Sequence, residues 1–135
     1  MGPILTTDGL ITIQNKKIVL IKRAKEPFLD KLVMPGGHVD DGDASVANAC
    51  ARELEEEIGL KINSSDLKLF TILDFPDRDP RPGKRISIVY HIDLEKEPVL
   101  KADTDAKEVV IKNLDELSEV EVGFDHWQAI KLIKK

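Results

Sequence analysis

The chain has 135 residues and a formal net charge of -5, with 41% hydrophobic and 33% charged residues. That length sets an expectation of one domain over residues 1–135 with a core of its own, and the apolar fraction excludes a disordered chain. The acidic balance argues against a nucleic-acid partner, no run reaches the roughly 18 apolar residues of a membrane span, and residues 1–14 lack a charged segment leading into a long apolar one, so a cytoplasmic location is expected.

Ile4 to Gln14 contains Leu10-Ile11-Thr12-Ile13, and Lys17 to Lys22 contains Ile18-Val19-Leu20-Ile21. The short polar break at Gln14-Asn15-Lys16 predicts a hairpin, so the first strands are antiparallel. A polar loop, Ala24 to Lys31, leads through Leu32-Val33-Met34 into Pro35-Gly36-Gly37-His38-Val39-Asp40-Asp41-Gly42-Asp43, whose glycines permit close backbone approach to a ligand. A helix is predicted from about Ser45 to Ile58, with Asp43 or Ser45 as its cap and Gly59 as its left-handed stop.

Beyond the helix, Leu67 to Phe75 predicts a strand that stops at Pro76, and Pro76 to Lys84 is an irregular loop rich in proline and charge. Arg85 to Leu94 alternates as Ile86, Ile88, Tyr90, Ile92 and Leu94, a half-buried strand. Val109-Val110-Ile111 predicts a short strand, Leu114 to Leu117 a helical turn, and Asp125 to Lys134 a closing helix with Trp127, Ile130 and Ile133 on one side. Strand-rich segments interrupted by one long helix and closed by another give an α/β fold with a mixed sheet between helices.

The chemistry concentrates in the first helix. At 100° per residue Val46, Ala49 and Cys50 share a side that Glu53, Glu56 and Glu57 continue, while Arg52 and Glu55 fall away from it. Glutamates near a helix C-terminus oppose the macrodipole, at about 0.3–1 kcal/mol each. Such a cluster suits a divalent cation held by hard carboxylate oxygens. Cys50, the single cysteine, falls on the apolar side and reads as a small core residue rather than a nucleophile. The three histidines are too scattered for a zinc site.

Residues 37–60 resemble the Nudix box, G-x5-E-x7-R-E-U-x-E-E-x-G-U with U apolar. Arg52, Glu53, Leu54, Glu56, Glu57, Gly59 and Leu60 match its second half at every fixed position. In the first half Asp43 stands at the expected glutamate, and eight residues rather than seven separate it from Arg52. The resemblance implies a Nudix α/β/α sandwich and a pyrophosphohydrolase using Mg2+, with Mn2+ as substitute. It also implies Glu53, Glu56, Glu57 and Gly37 as metal-site residues, with Arg52 as support for the glutamates. A fourth carboxylate from a later loop is expected as base or extra ligand, with Glu108 the first candidate and Asp103 and Asp105 weaker ones.

Pro76, its surrounding Asp77-Arg78-Asp79-Pro80-Arg81-Pro82, and Gly123-Phe124-Asp125-His126 resemble small ADP-ribose pyrophosphatases. That implies a nucleoside diphosphate derivative as substrate, ADP-ribose first. Arg78, Arg81 and Arg85 are candidates to clamp a phosphate or the terminal ribose. Phe75 or Phe28 is a candidate to stack on adenine, and His38 to touch the ligand. Nucleoside triphosphates, dinucleoside polyphosphates, or non-catalytic sensing of a nucleotide sugar are the alternatives. The segment around Pro3 and Ile4 is available for pairing in a homodimer.

Overall fold

The computed structural model describes residues 2–103 and 106–134. β1 (Ile4–Ile13) and β2 (Lys17–Arg23) form the expected antiparallel hairpin, with Ile11 opposite Val19 and Ile13 opposite Lys17. Gln14 and Asn15 take left-handed backbone (φ 51° and 54°), and Lys16 N–H closes the turn on the Ile13 carbonyl at 3.0 Å. Two successive positive φ values match the twist of the paired strands.

β1 also runs parallel to β6 (Arg85–Leu94) over its whole length, from Ile4 opposite Arg85 to Ile13 opposite Leu94. β5 (Lys68–Leu73) pairs antiparallel on the far side of β6, and β3 (Leu32–Val33) on the far side of β2. The path is therefore β3-β2-β1-β6-β5, with β4 (Gly36–His38) against β1 and β7 (Ala106–Asn113) against β2. One parallel pair among antiparallel ones makes the sheet mixed.

Strand alternation sends neighbouring residues to opposite faces. On one face Leu10, Ile18, Leu20 and Val89 pack in a core with Ala129 and Ile130 of the closing helix α2 (Trp127–Ile133). On the other, Ile11, Ile13, Val19 and Ile21 pack in a core with Cys50, Leu54 and Ile58 of α1 (Val46–Ile58). The result is the α/β/α sandwich.

Burial from both sides changes the expected reading of β6. Ser87 and Val89 are fully buried, while Ile86, Ile88 and Tyr90 on the alternate positions are only partly so. β7 is longer than its three apolar residues suggested, because β2 offers a full edge from Lys17 to Arg23. α2 begins at Trp127 rather than Asp125, whose carboxylate is engaged elsewhere.

What places the site is the short β4. Thr6, Thr7 and Asp8 pair with His38, Gly37 and Gly36, so the glycine loop lies directly on β1 before the chain turns into α1. The loop after β6 docks on the other end of that helix: Lys101 N–H donates to Ile58 O at 3.0 Å and Asp103 N–H to Glu57 O at 2.9 Å.

Candidate active site

α1 starts as its sequence dictates. Ser45 is in extended backbone and its hydroxyl accepts from the Asn48 N–H at 3.1 Å. Gly59 ends it at φ 73°, returning its N–H to Glu55 O. The inner stripe is Ala49, Cys50, Leu54 and Ile58, apolar from end to end. The expected side that turned acidic halfway therefore divides: Leu54 carries the core onward, Glu53 and Glu57 flank it partly buried, and Glu56 is exposed. Cys50 is fully buried, and burial pushes its thiol up to about 12, as a core residue rather than a nucleophile.

Arg52 ties the helix to the preceding loop. Its Nε and Nη2 donate to Asp43 Oδ1 and Oδ2 at 2.9 and 3.0 Å, a two-pronged pair. Nη2 also reaches the His38 carbonyl at 3.0 Å, and Nη1 donates to Glu53 Oε1 at 2.9 Å and Glu56 Oε1 at 3.2 Å. Asp43 thus joins the loop to the helix through Arg52, just ahead of the Ser45 cap. These bonds, Asp43 first, raise the Arg52 guanidinium above its ordinary value.

Glu53 lies under Gly37 so closely that a Cβ there would come within 2.4 Å of its carboxyl carbon. Glu57 Oε1 accepts from the Gly36 N–H at 3.3 Å. Burial pushes the Glu57 carboxyl up to about 8, with the negative charges of Asp8, Glu53 and Asp103 adding to it. Glu53 is also raised, by burial, against the pull of Arg52. Among the described residues no cation forms an ion pair with Glu57, on which Arg23 acts only from a distance, and a hard divalent cation fits that donor set. Among the described residues no three carboxylate, histidine or cysteine side chains already close around one point, and Glu56 is turned to Arg52.

Asp8, on β1, belongs to the same floor. It accepts from the Ser87 hydroxyl, and its Oδ2 lies 3.6 Å from His126 Nε2. His126 is buried and its Nδ1 accepts the Met34 N–H at 3.0 Å, so the ring proton of the neutral form sits on Nε2, facing Asp8. Burial lowers the imidazole further from its charged form.

These groups open on a cavity of about 330 Å³ with Asp8 and Glu57 on one side and Arg23, Arg81, Arg85 and Phe124 among its other lining residues. His38 is exposed at its rim. Arg78 lines it but is committed to Asp125, at 2.9 and 2.8 Å, with its side chain 6% exposed. Arg81 grips Asp79 through Nε and Nη2, while Arg85 donates Nη1 to the Pro82 carbonyl and among the described residues has no hydrogen-bond partner for its buried Nε.

Glu108, Phe75 and Phe28 lie apart from the cavity lining. Glu108 sits on β7 opposite Lys22, 3.8 Å from its ammonium, and is not among the cavity residues. Extending β7 past Val109 carried it to that edge. Asp103 is the later carboxylate whose charge reaches Glu57, while Asp105 lies outside the described residues. Phe75 is half exposed and does not line the cavity, and the Phe28 ring is already packed on Phe124 at 4.6 Å. Arg23, Phe124, Asp8 and His126 were not singled out for the site. Phe124 and His126 lay within the Gly123-Phe124-Asp125-His126 run already noted, and Asp8 carried its own signal as a charged residue just ahead of the apolar Leu10-Ile11-Thr12-Ile13 run.

The family model for the NUDIX domain matches residues 4–133. The chain belongs to the Nudix family. It is 42% identical over 133 residues to the "ADP-ribose pyrophosphatase" of Methanocaldococcus jannaschii, covering 97% of this chain and 73% of that protein. These relationships place this Nudix protein with the family's pyrophosphohydrolases. A MutT/nudix family protein from Enterococcus faecalis superposes with a TM-score of 0.84 at 28% identity, over 99% of this chain and 61% of that one. A bifunctional NMN adenylyltransferase/ADP ribose pyrophosphatase from Francisella tularensis, complexed with AMP and a Mn ion, gives 0.78 at 26%, over 97% and 41%. This Nudix chain thus spans less than two thirds of those two solved chains.

Proposed function

We propose that this Nudix protein hydrolyses the diphosphate bridge of a nucleoside diphosphate derivative, cutting ADP-ribose to AMP and ribose 5-phosphate with Mg2+, or Mn2+ in its place. The observation that carries the reading is the pair Glu53 and Glu57, carboxylates raised by burial under the glycine loop at the edge of an arginine-lined cavity. Similarity to the Methanocaldococcus enzyme supports ADP-ribose, and the Mn ion of the Francisella protein supports a divalent metal.

Glu53, Glu56, Glu57 and the backbone at Gly37 would hold the ion. When bound, such an ion neutralises phosphate charge and acidifies a water for attack at phosphorus. The chain's own groups do the rest. Arg52 fixes the loop against the helix and holds Glu53 and Glu56 in place. Arg81 and Arg85 line the cavity as guanidinium donors for the distal half of the substrate, and Asp103 joins Glu108 as a candidate base or extra ligand. Arg78, bound to Asp125, shapes the wall rather than touching substrate.

Purified protein incubated with ADP-ribose, ADP-sugars, dinucleoside polyphosphates and nucleoside triphosphates, with Mg2+ or EDTA, tests this by product chromatography. Metal-dependent AMP from ADP-ribose is expected, and Glu57→Gln should lower its rate by about 10²–10⁴-fold. Cleavage of triphosphates alone would replace the substrate. Tight ADP-ribose binding without any cleavage would make the protein a sensor.

A further inference from the structure

Arg23, at the end of β2, is tethered but not satisfied. Its Nε donates to the Pro27 carbonyl at 2.6 Å, and among the described residues neither terminal nitrogen has a hydrogen-bond partner. Its guanidinium carbon lies 5.0 Å from the centre of the Phe124 ring, and that of Arg81 lies 5.3 Å from the same ring. Two like charges on one aromatic repel each other, a cost that a cation–π contact of about 0.5–1 kcal/mol only partly offsets. The platform is itself strained: Phe124 and Phe28, ring against ring, have φ of 51° and 63°, backbone that bulky residues seldom adopt. Strain of this kind gathers at ligand sites, where surrounding structure holds it in place.

Arg85 adds a third guanidinium, its buried Nε without a hydrogen-bond partner among the described residues and 4.0 Å from Asp79 Oδ2. Within 4.0 Å the three guanidiniums share one carboxylate, Asp79, among the described residues, and Glu57 and Glu26 act on Arg23 only from farther away. A phosphate monoester carries about −1.5 to −2 charge at pH 7 and three acceptor oxygens. It gathers that charge and those acceptors on one phosphorus, where converging guanidiniums can meet them together, whereas each phosphorus of an internal diphosphate carries about one charge and two non-bridging oxygens.

We propose that Arg23, Arg81 and Arg85 around Phe124 form a subsite for a terminal phosphate monoester, so that the preferred substrates are nucleoside diphosphate derivatives with a further phosphate on the distal half. The inference rests on the pyrophosphohydrolase reading for its choice of probes and not for the existence of the subsite. Arg23 is then a specificity residue.

The test compares ADP-ribose with ADP-ribose carrying a phosphate ester on its distal ribose. Dissociation constants are measured by calorimetry in EDTA, and KM with the metal. The wild type should bind the phosphorylated compound about tenfold or more tightly than ADP-ribose, as one or two added charge-assisted hydrogen bonds allow. Arg23→Gln and, independently, Arg81→Gln should bring the ratio of the two constants close to unity, and Arg23→Lys should restore part of it. Equal affinities in the wild type, or an undiminished ratio in both glutamine variants, would overturn the subsite. Absence of turnover on either compound would remove the hydrolase reading while the calorimetric ratio still decides the subsite.

Discussion

Arg52 shows how much one side chain settles. Its guanidinium joins Asp43, the His38 carbonyl, Glu53 and Glu56, and only a planar fork can meet Asp43 with two parallel bonds while reaching both glutamates. Arg52→Lys is expected to keep the fold and lower kcat for the diphosphate substrate by about 10–100-fold, because a lysine gives up the Asp43 fork and frees the glycine loop. The exposed Glu55→Gln is the companion variant, expected to turn over within about twofold of wild type by the surface-substitution rule. Steady-state kinetics on both distinguish the named contact from the general acidity of the helix. At this scale the legible residues were those within one short run: Arg52, Glu53, Glu56 and Glu57 stand at fixed helical spacings. That Glu108 and Phe75 lie off the cavity and Arg23 and Phe124 on it was not legible, because their positions depend on where distant strands end and which loops meet.

The element that gives those residues their geometry is the β4 to α1 connection. Gly37 is required there by close approach, since the Glu53 carboxylate occupies the space its Cβ would fill. Gly37→Ala should therefore displace Glu53 or the strand pairing of Thr7 with Gly37, with a loss of metal-dependent turnover of at least about tenfold. Gly59 is required for another reason: at φ 73°, Gly59→Ala should cost about 1 kcal/mol in chemical denaturation and leave the site intact. A kinetic defect in Gly59→Ala larger than in Gly37→Ala would reverse these assignments. Most elements were legible from pattern: the hairpin, β6 with both its limits, and α1 with its cap and stop. The phase of α1 was not, because Leu54 between two acidic neighbours gives no sign that the core continues through it to Ile58. The length of β7 was equally hidden, being set by the β2 edge it pairs with rather than by its own apolar residues.

At the scale of the whole molecule, the sandwich closes two cores and leaves a buried acidic floor between strand, loop and helix. That floor makes stability depend on pH in a direction fixed by Glu57. Its carboxyl is raised from the ordinary range to about 8 in the folded chain, so the folded state holds a proton that the unfolded state has released. The stabilisation is complete below the unfolded value and disappears as pH rises through about 8. Buried His126 works oppositely: lowered from 6.5, it costs stability only as pH falls below that value. Between pH 6.5 and 8 the contribution of Glu57 falls by about 2 kcal/mol, or a Tm fall of roughly 5–10 °C for a domain this size. Thermal unfolding in EDTA is expected to show that fall in the wild type and a nearly flat profile in Glu57→Gln, which keeps the shape without the charge. Saturating Mg2+ should flatten the wild-type profile as well, because a cation beside Glu57 removes the reason for the proton to stay. An equal slope in Glu57→Gln would place the pH dependence elsewhere in the molecule. A slope in wild type unaffected by Mg2+ would mean that the ion does not bind at this carboxylate.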